Sequence, residues 1–253
     1  MIEVEDLRCA YNGSDVLKGV DLEVEEGTFM GLLGPNGCGK TTLLRCITGS
    51  LRPRRGSVRI MGREISGWGR KELSRKLSIV PQDTSPGFDF SVEEVVAMGR
   101  YPHMGRFQLT DPDGGASVNR ALRWTGLSEL RSKKISMLSG GERQRAFIAR
   151  AFAQDADILL MDEPTKNLDI RHSMDIMSLV RKKNGKEGLT ILAVLHDLDL
   201  SVRFCDKVAL MKDGKVYDIG PVRKVINEDS VGDVFDIDVK VHRGKHMHIE
   251  VLG

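Results

Sequence analysis

The octapeptide Gly34-Pro35-Asn36-Gly37-Cys38-Gly39-Lys40-Thr41 limits this chain more than any other stretch. It fits the pattern G-x-x-x-x-G-K-[ST] and follows a short apolar run at 29–33. After it comes a helical face made of Leu43, Leu44 and Ile47, with Gly49 as its stop. Strand, glycine loop and helix in that order make a phosphate-binding turn. Glycines let successive backbone N–H groups converge on one anion, and the helix N-terminus adds partial positive charge. Lys40 would then reach the β- and γ-phosphates, and Thr41 would offer its hydroxyl to Mg²⁺.

The rest of the chain supplies a sheet for that turn. Residues 2–11 and 16–24 alternate apolar and polar, as half-buried strands do. Asn12-Gly13 between them reads as a hairpin turn. The runs 158–161 and 189–195 are continuously apolar, which suits central parallel strands covered on both faces. Strands separated by helical stretches imply right-handed β-α-β crossovers. Residues 88–152 read as helical and hold two capping boxes, Ser91-x-x-Glu94 and Ser139-x-x-Glu142. The expected fold is α/β: a P-loop NTPase core with an antiparallel β lobe and an inserted helical subdomain. We expect a single domain over 1–253, with nucleotide-binding lobes at 1–86 and 153–220, a helical insertion at 87–152, and an extension at 221–253 made of a helix and a closing hairpin.

The chemistry concentrates at the strand ends. Asp162 and Glu163 close an apolar strand, and two acids there are costly to bury unless a cation or substrate needs them. Asp162 fits the Mg²⁺ side, and Glu163 fits the group that polarises an attacking water. Gln82 follows the strand 77–81 and can touch Mg²⁺ or water and still swing away. His196 ends the run 189–195, where it could donate a hydrogen bond to a γ-phosphate. The stretch Leu138-Ser139-Gly140-Gly141-Glu142-Arg143-Gln144 offers a second glycine-containing helix start. One chain can rarely fold both starts onto one nucleotide, so the Ser139 loop is expected to close on a nucleotide held by another molecule.

Composition removes several classes. A net charge of +2 over 253 residues marks no nucleic-acid surface. Arg52, Arg54, Arg55 and Arg59 cluster near a Gly/Pro turn and read as a solvated loop. Cys9, Cys38, Cys46 and Cys205 form no CxxC pair and read as reduced thiols of a cytoplasmic protein. No apolar run approaches the ~18 residues that span a bilayer, and the acidic, alternating N-terminus is not a signal peptide. Any membrane role is expected to come through a partner. His242, His246 and His248 read as strand residues rather than a metal site. Cys38, near Lys40 and the helix start, could be a reactive thiolate or a small space-filler.

Together these motifs resemble those of ATP-binding subunits of ATP-binding-cassette transporters, from Tyr11 to Gly220. The resemblance implies that Tyr11 stacks on adenine and that 34–42, through Thr42, cradles the phosphates. It implies that Gln82 is the Q-loop, 138–144 the family signature, Asp162-Glu163 the end of Walker B, 167–169 the D-loop, and His196 the switch histidine. It further implies an ATPase using ATP and Mg²⁺. Two copies would sandwich the nucleotide, with Ser139, Gly141 and Asp169 at the dimer contact. An integral-membrane permease would be the partner, a substrate-binding protein an indirect one, and the cytoplasmic face of the cell membrane the location.

The segment 91–105 and the stretches Leu168-Asp169-Ile170-Arg171-His172 and His196-Asp197-Leu198 are similar to importers of iron–siderophores, haem and cobalamin. Molybdate and tungstate importers share much of the pattern, and a non-transport cassette such as a cell-division scaffold is the rival of another class. Lys166, Ser173 and Cys38 depart from the family's usual residues; Lys166 is expected to bear on contact across the dimer.

Overall fold

The computed structural model describes residues 1–11, 14–83, 89–105, 111, 113–244 and 247–252, with backbone alone at Tyr11. The hairpin turn expected at Asn12-Gly13 lies outside the described residues. The chain forms two compact units, Met1–Trp68 with Asn184–Gly253, and Gly69–Lys183.

Two sheets shape the nucleotide-binding part of the first unit. One is antiparallel, in the order Ser14–Val24, Ile2–Tyr11, Arg55–Ile60, Arg63–Glu64. Ile2 lies opposite Val24 on one side and Ile60 on the other, and all three are buried. The alternating pattern read from the sequence is thus the one-sided burial of an antiparallel sheet. The other sheet places Phe29–Leu33 between Thr190–Val194 and Lys207–Lys212, parallel to both. Lys215–Pro221 pairs antiparallel with the outer strand, Lys207–Lys212. Every residue of Phe29–Leu33 and of Thr190–Val194 is buried, as their largely apolar runs require, and the buried Thr190 hydroxyl accepts from the Gly27 N–H at 2.9 Å.

The register fixes the top of this sheet. Leu32 stands beside Val194 and beside Ala209, and the Leu195 N–H donates to the Leu32 carbonyl at 3.1 Å. The first strand therefore opens into the glycine loop at the level where the second delivers His196. The helix Lys40–Ile47 follows the loop and buries Leu43, Leu44, Cys46 and Ile47. Beyond Pro221 the chain forms two short helices, Val222–Val225 and Glu228–Phe235, and a hairpin of Val239–Arg243 with Met247–Val251. The sequence led us to expect one helix there. Asn227 caps the second, because its side-chain oxygen accepts from the Ser230 N–H at 2.9 Å.

The second unit pairs Leu77–Val80 in parallel with Ile158–Asp162 and adds helices Val92–Ala97, Gly114–Thr125 and Gly140–Ala153. It runs from Gly69 to Lys183 and contains the span 87–152 read as helical. Both capping boxes form: Ser91 and Ser139 each accept from the backbone N–H three residues on, and Glu94 and Glu142 each accept in return. Arg100, nearly buried, is held by Asp111 at 2.7 Å, Asp155 at 2.8 Å and the Ala153 carbonyl at 2.7 Å. A buried guanidinium needs such partners. The helix Ile170–Glu187 begins in this unit.

Candidate active site

In the first unit, the strand Phe29–Leu33 ends at Gly34, whose φ of 150° suits glycine. A Cβ on Gly34 would run into the Met211 carbonyl and lie 2.9 Å from Cys38 Sγ. The loop therefore lies flat on the neighbouring strand and turns at once. Its tip, Asn36 and Gly37, is exposed, and Pro35 is half-buried. Gly39 caps the helix Lys40–Ile47 in left-handed backbone. Lys40 is buried, and its Nζ donates to the Gly34 carbonyl at 2.7 Å and the Pro35 carbonyl at 2.9 Å. Its charge thus sits inside the turn formed by the backbone. Thr41 is half-buried and Thr42 buried on the first helical turn. His196 is exposed, just past the strand Thr190–Val194. The adenine-stacking role expected of Tyr11 concerns a side chain outside the described residues.

Cys38 takes one of the two readings the sequence left open. It is 5% exposed and lies 3.8 Å from Lys40 Nζ. Burial raises its thiol above the usual 9.0, and the Lys40 charge opposes this only in part. Cys38 is a buried thiol that fills space under the loop, not an activated thiolate.

In the second unit, Asp162 ends its strand buried, at 7% exposure. The chain then turns sharply: Glu163 has φ of 51° and Asn167 φ of 59°. Left-handed backbone is uncommon away from glycine and costs about 1–3 kcal/mol, and it gathers at functional sites. The Glu163 carboxylate is 11% exposed. Its Oε2 accepts from Gln82 Nε2 at 2.7 Å, across 81 residues of chain. Lys166 Nζ lies 2.9 Å from the same oxygen. Within its own chain the Lys166 ammonium rests on the acid of its own loop. The spacing of three residues was the one signal for that pair.

The helix Gly140–Ala153 starts beside that loop. Ser139 Oγ accepts from Glu142 N at 3.3 Å, and Glu142 accepts from Ser139 N at 2.9 Å. The Ser139 N–H holds Glu142 below the usual carboxylate range. Gly140 faces Leu168, and Gly141 faces the ring of His172 so closely that no side chain fits. Asp169 holds that ring, accepting from His172 N at 2.8 Å and pairing with Nδ1 at 2.8 Å. Those two bonds, backbone first, lower the Asp169 carboxyl below its usual value. Gly141 and Asp169 are thus joined through His172, which the sequence singled out only as part of the stretch 168–172.

The second unit brings Gln82, Glu163 and Lys166 together at one carboxylate, and Ser139, Gly141, Asp169 and His172 at one helix start. The first unit brings Gly34, Lys40, Thr41 and Thr42 together. Each unit offers suitable donors: in the second the Asp162 carboxylate and the Gln82 amide are hard oxygens of the kind Mg²⁺ takes, and in the first the Thr41 hydroxyl is another, beside loop amides and Lys40 that suit phosphate. The MgATP chemistry expected from the motifs therefore fits the residues present. Among the described residues no helix is long and apolar enough to cross a membrane.

The ABC transporter family profile matches residues 17–166. The chain is 40% identical over 240 residues to a cobalamin import ATP-binding protein of Halobacterium salinarum, covering 95% of this chain and 60% of that protein. It is 39% identical over 248 residues to a hemin import ATP-binding protein of Rhodopseudomonas palustris, covering 95% and 92%. A solved structure of an inward-facing metal-chelate type ABC transporter matches all of the chain and 97% of its own, with a TM-score of 0.87 and 26% identity. A dimeric ATP-binding cassette in a post-hydrolysis state with ADP and phosphate matches 88% and 99%, with a TM-score of 0.76 and 29% identity. The motifs, the loop geometry and these likenesses agree: the chain belongs to the ABC transporter family.

Proposed function

We propose that the chain is the ATP-hydrolysing subunit that powers a membrane importer of a metal chelate: an iron–siderophore, haem or cobalamin. The observation that carries the reading is the hydrogen bond from Gln82 to Glu163, which ties a mobile-type amide to the acid that handles water. The import proteins for cobalamin and hemin named above support the cargo class.

In this reading the amides of 34–42 and Lys40 bind the phosphates, and Tyr11 orients the base. Thr41, Gln82 and Asp162 would hold Mg²⁺, which would supply charge neutralisation at the phosphates when bound. Glu163 orients the attacking water and accepts its hydrogen, with His196 donating toward the γ-phosphate. Ser139, Gly140, Gly141 and Asp169 complete the site on a second copy of the chain. The dimeric cassette structure supports that pairing. A permease, and through it a substrate-binding protein, would receive the closure at the cytoplasmic face of the cell membrane.

The test is Glu163→Gln. The amide keeps the shape and loses the charge that holds water. The variant should bind ATP, hydrolyse it at least about 100-fold more slowly, and accumulate as an ATP-bound dimer on gel filtration. Turnover near wild type with only monomer present would sink the assignment. Uptake of labelled cobalamin, haem and ferric siderophore by the reconstituted complex tests the cargo; transport of molybdate alone would overturn it.

A further inference from the structure

The geometry points to Lys166 as a positioning residue that restrains Glu163 and sets the turnover rate, an inference that rests on the assignment of Glu163 as the residue that handles water. Glu163 Oε2 carries two donors at once, Gln82 Nε2 at 2.7 Å and Lys166 Nζ at 2.9 Å. The two differ in kind. Gln82 is neutral and comes from a turn 81 residues away, so a shift of its own segment can remove it. Lys166 is three residues along the same loop, so it travels with Glu163 wherever that loop goes.

It is also charged, and charge-assisted hydrogen bonds are roughly twice as strong as neutral ones. The left-handed backbone at Glu163 and Asn167 bends the loop between them, and the Lys166 N–H donates to the Glu163 carbonyl at 3.1 Å. The turn thus closes on itself and presents the ammonium to the carboxylate. The carboxylate keeps acceptor sites for water on its other oxygen, but turning it toward an attacking water works against whatever holds Oε2. Gln82 can leave with its segment, and Lys166 stays as the restraint on that reorientation.

The size of the restraint follows from exposure. Lys166 is 47% exposed and the carboxylate 11%. A half-exposed pair of this kind slows turnover roughly two- to fivefold, not by orders of magnitude. It also weakens with salt, because its outer partner faces solvent.

Lys166→Ser removes the ammonium from a half-exposed side chain and leaves the backbone turn intact. Its kcat for ATP should rise roughly two- to fivefold with KM changed less than about twofold. Wild-type kcat should climb between about 0.05 and about 0.5 M NaCl, and the variant's should respond less. Lys166→Arg should keep the slow rate and the salt response. ATP affinity without Mg²⁺, measured by equilibrium dialysis, should match wild type in both variants, which separates an effect on Glu163 from damage to the nucleotide site. A flat or lower kcat in Lys166→Ser, equal salt responses, or weakened ATP binding would each overturn the inference. If Glu163→Gln stops turnover while Lys166→Ser changes nothing, this inference falls alone. If Glu163→Gln turns over normally, the underlying assignment falls with it.

Discussion

Replacing Gly141 by alanine puts a methyl group where the His172 ring already sits. A Cβ there would lie 2.7 Å from His172 Cγ and 3.0 Å from Nε2, with Cδ2 closer still. Non-bonded carbon atoms settle at about 3.5–4.0 Å, so the ring has to withdraw by about 1 Å or more. It is tethered against that movement by the Asp169 carboxylate, 2.8 Å from both Nδ1 and the His172 backbone nitrogen. Overpacking of this kind costs about 1–3 kcal/mol, and alanine returns about 0.5–1 kcal/mol of helix propensity. The net loss is up to about 2.5 kcal/mol, or up to several degrees in Tm for a chain of this size. MgATP-driven dimerisation should suffer more, because Ser139 and Asp169 are displaced together.

The discriminating assay is the pair of variants. His172→Ala opens the space, so Gly141→Ala added to it should cost little or nothing in Tm. Additive losses, within about 0.5 kcal/mol, would refute the claim that the ring is what excludes a side chain at 141.

Ser139→Arg should bind nucleotide as a single chain yet fail to hydrolyse it, and mixing it with Lys40→Ala chains should restore one composite site per heterodimer; if no mixture exceeds both parents, the shared site is wrong. Burial first, and the Cys9 thiol second, push Cys46 up to about 12 from 9.0. Below about pH 9 the thiol is protonated whether the chain is folded or not, whereas between about pH 9 and 12 only the unfolded chain gives up the proton. Stability should therefore fall across that window by up to ~1.4 kcal/mol per pH unit for this one group. Urea midpoints at about pH 8 and about pH 10 should separate more in wild type than in Cys46→Ala, and equal separations would refute it.

What could be read from the sequence follows from how local each feature is. The glycine loop, both capping boxes and the apolar runs are contiguous, and backbone geometry makes each of them self-announcing. The Ser139 box needs only residues 139 and 142, and it forms as expected. Gln82 and Glu163 each stood out alone, but their bond spans 81 residues and depends on the parallel pairing of Leu77–Val80 with Ile158–Asp162. His172 was legible only as part of a resemblance, because its role comes from a close approach between two helix starts. Cys38 was left between two readings because nearby charge can be seen in a sequence, whereas the burial that outweighs it cannot.

The bond from Leu195 N–H to the Leu32 carbonyl sets a rule for how this chain can vary. Side chains on a strand point alternately to opposite faces, so slipping a strand by one residue turns every later side chain over. The bond and the pairing of Leu32 with Val194 fix His196 by a count of residues as well as by its chemistry. Between 190 and 196 the chain should accept many apolar exchanges and no insertion or deletion.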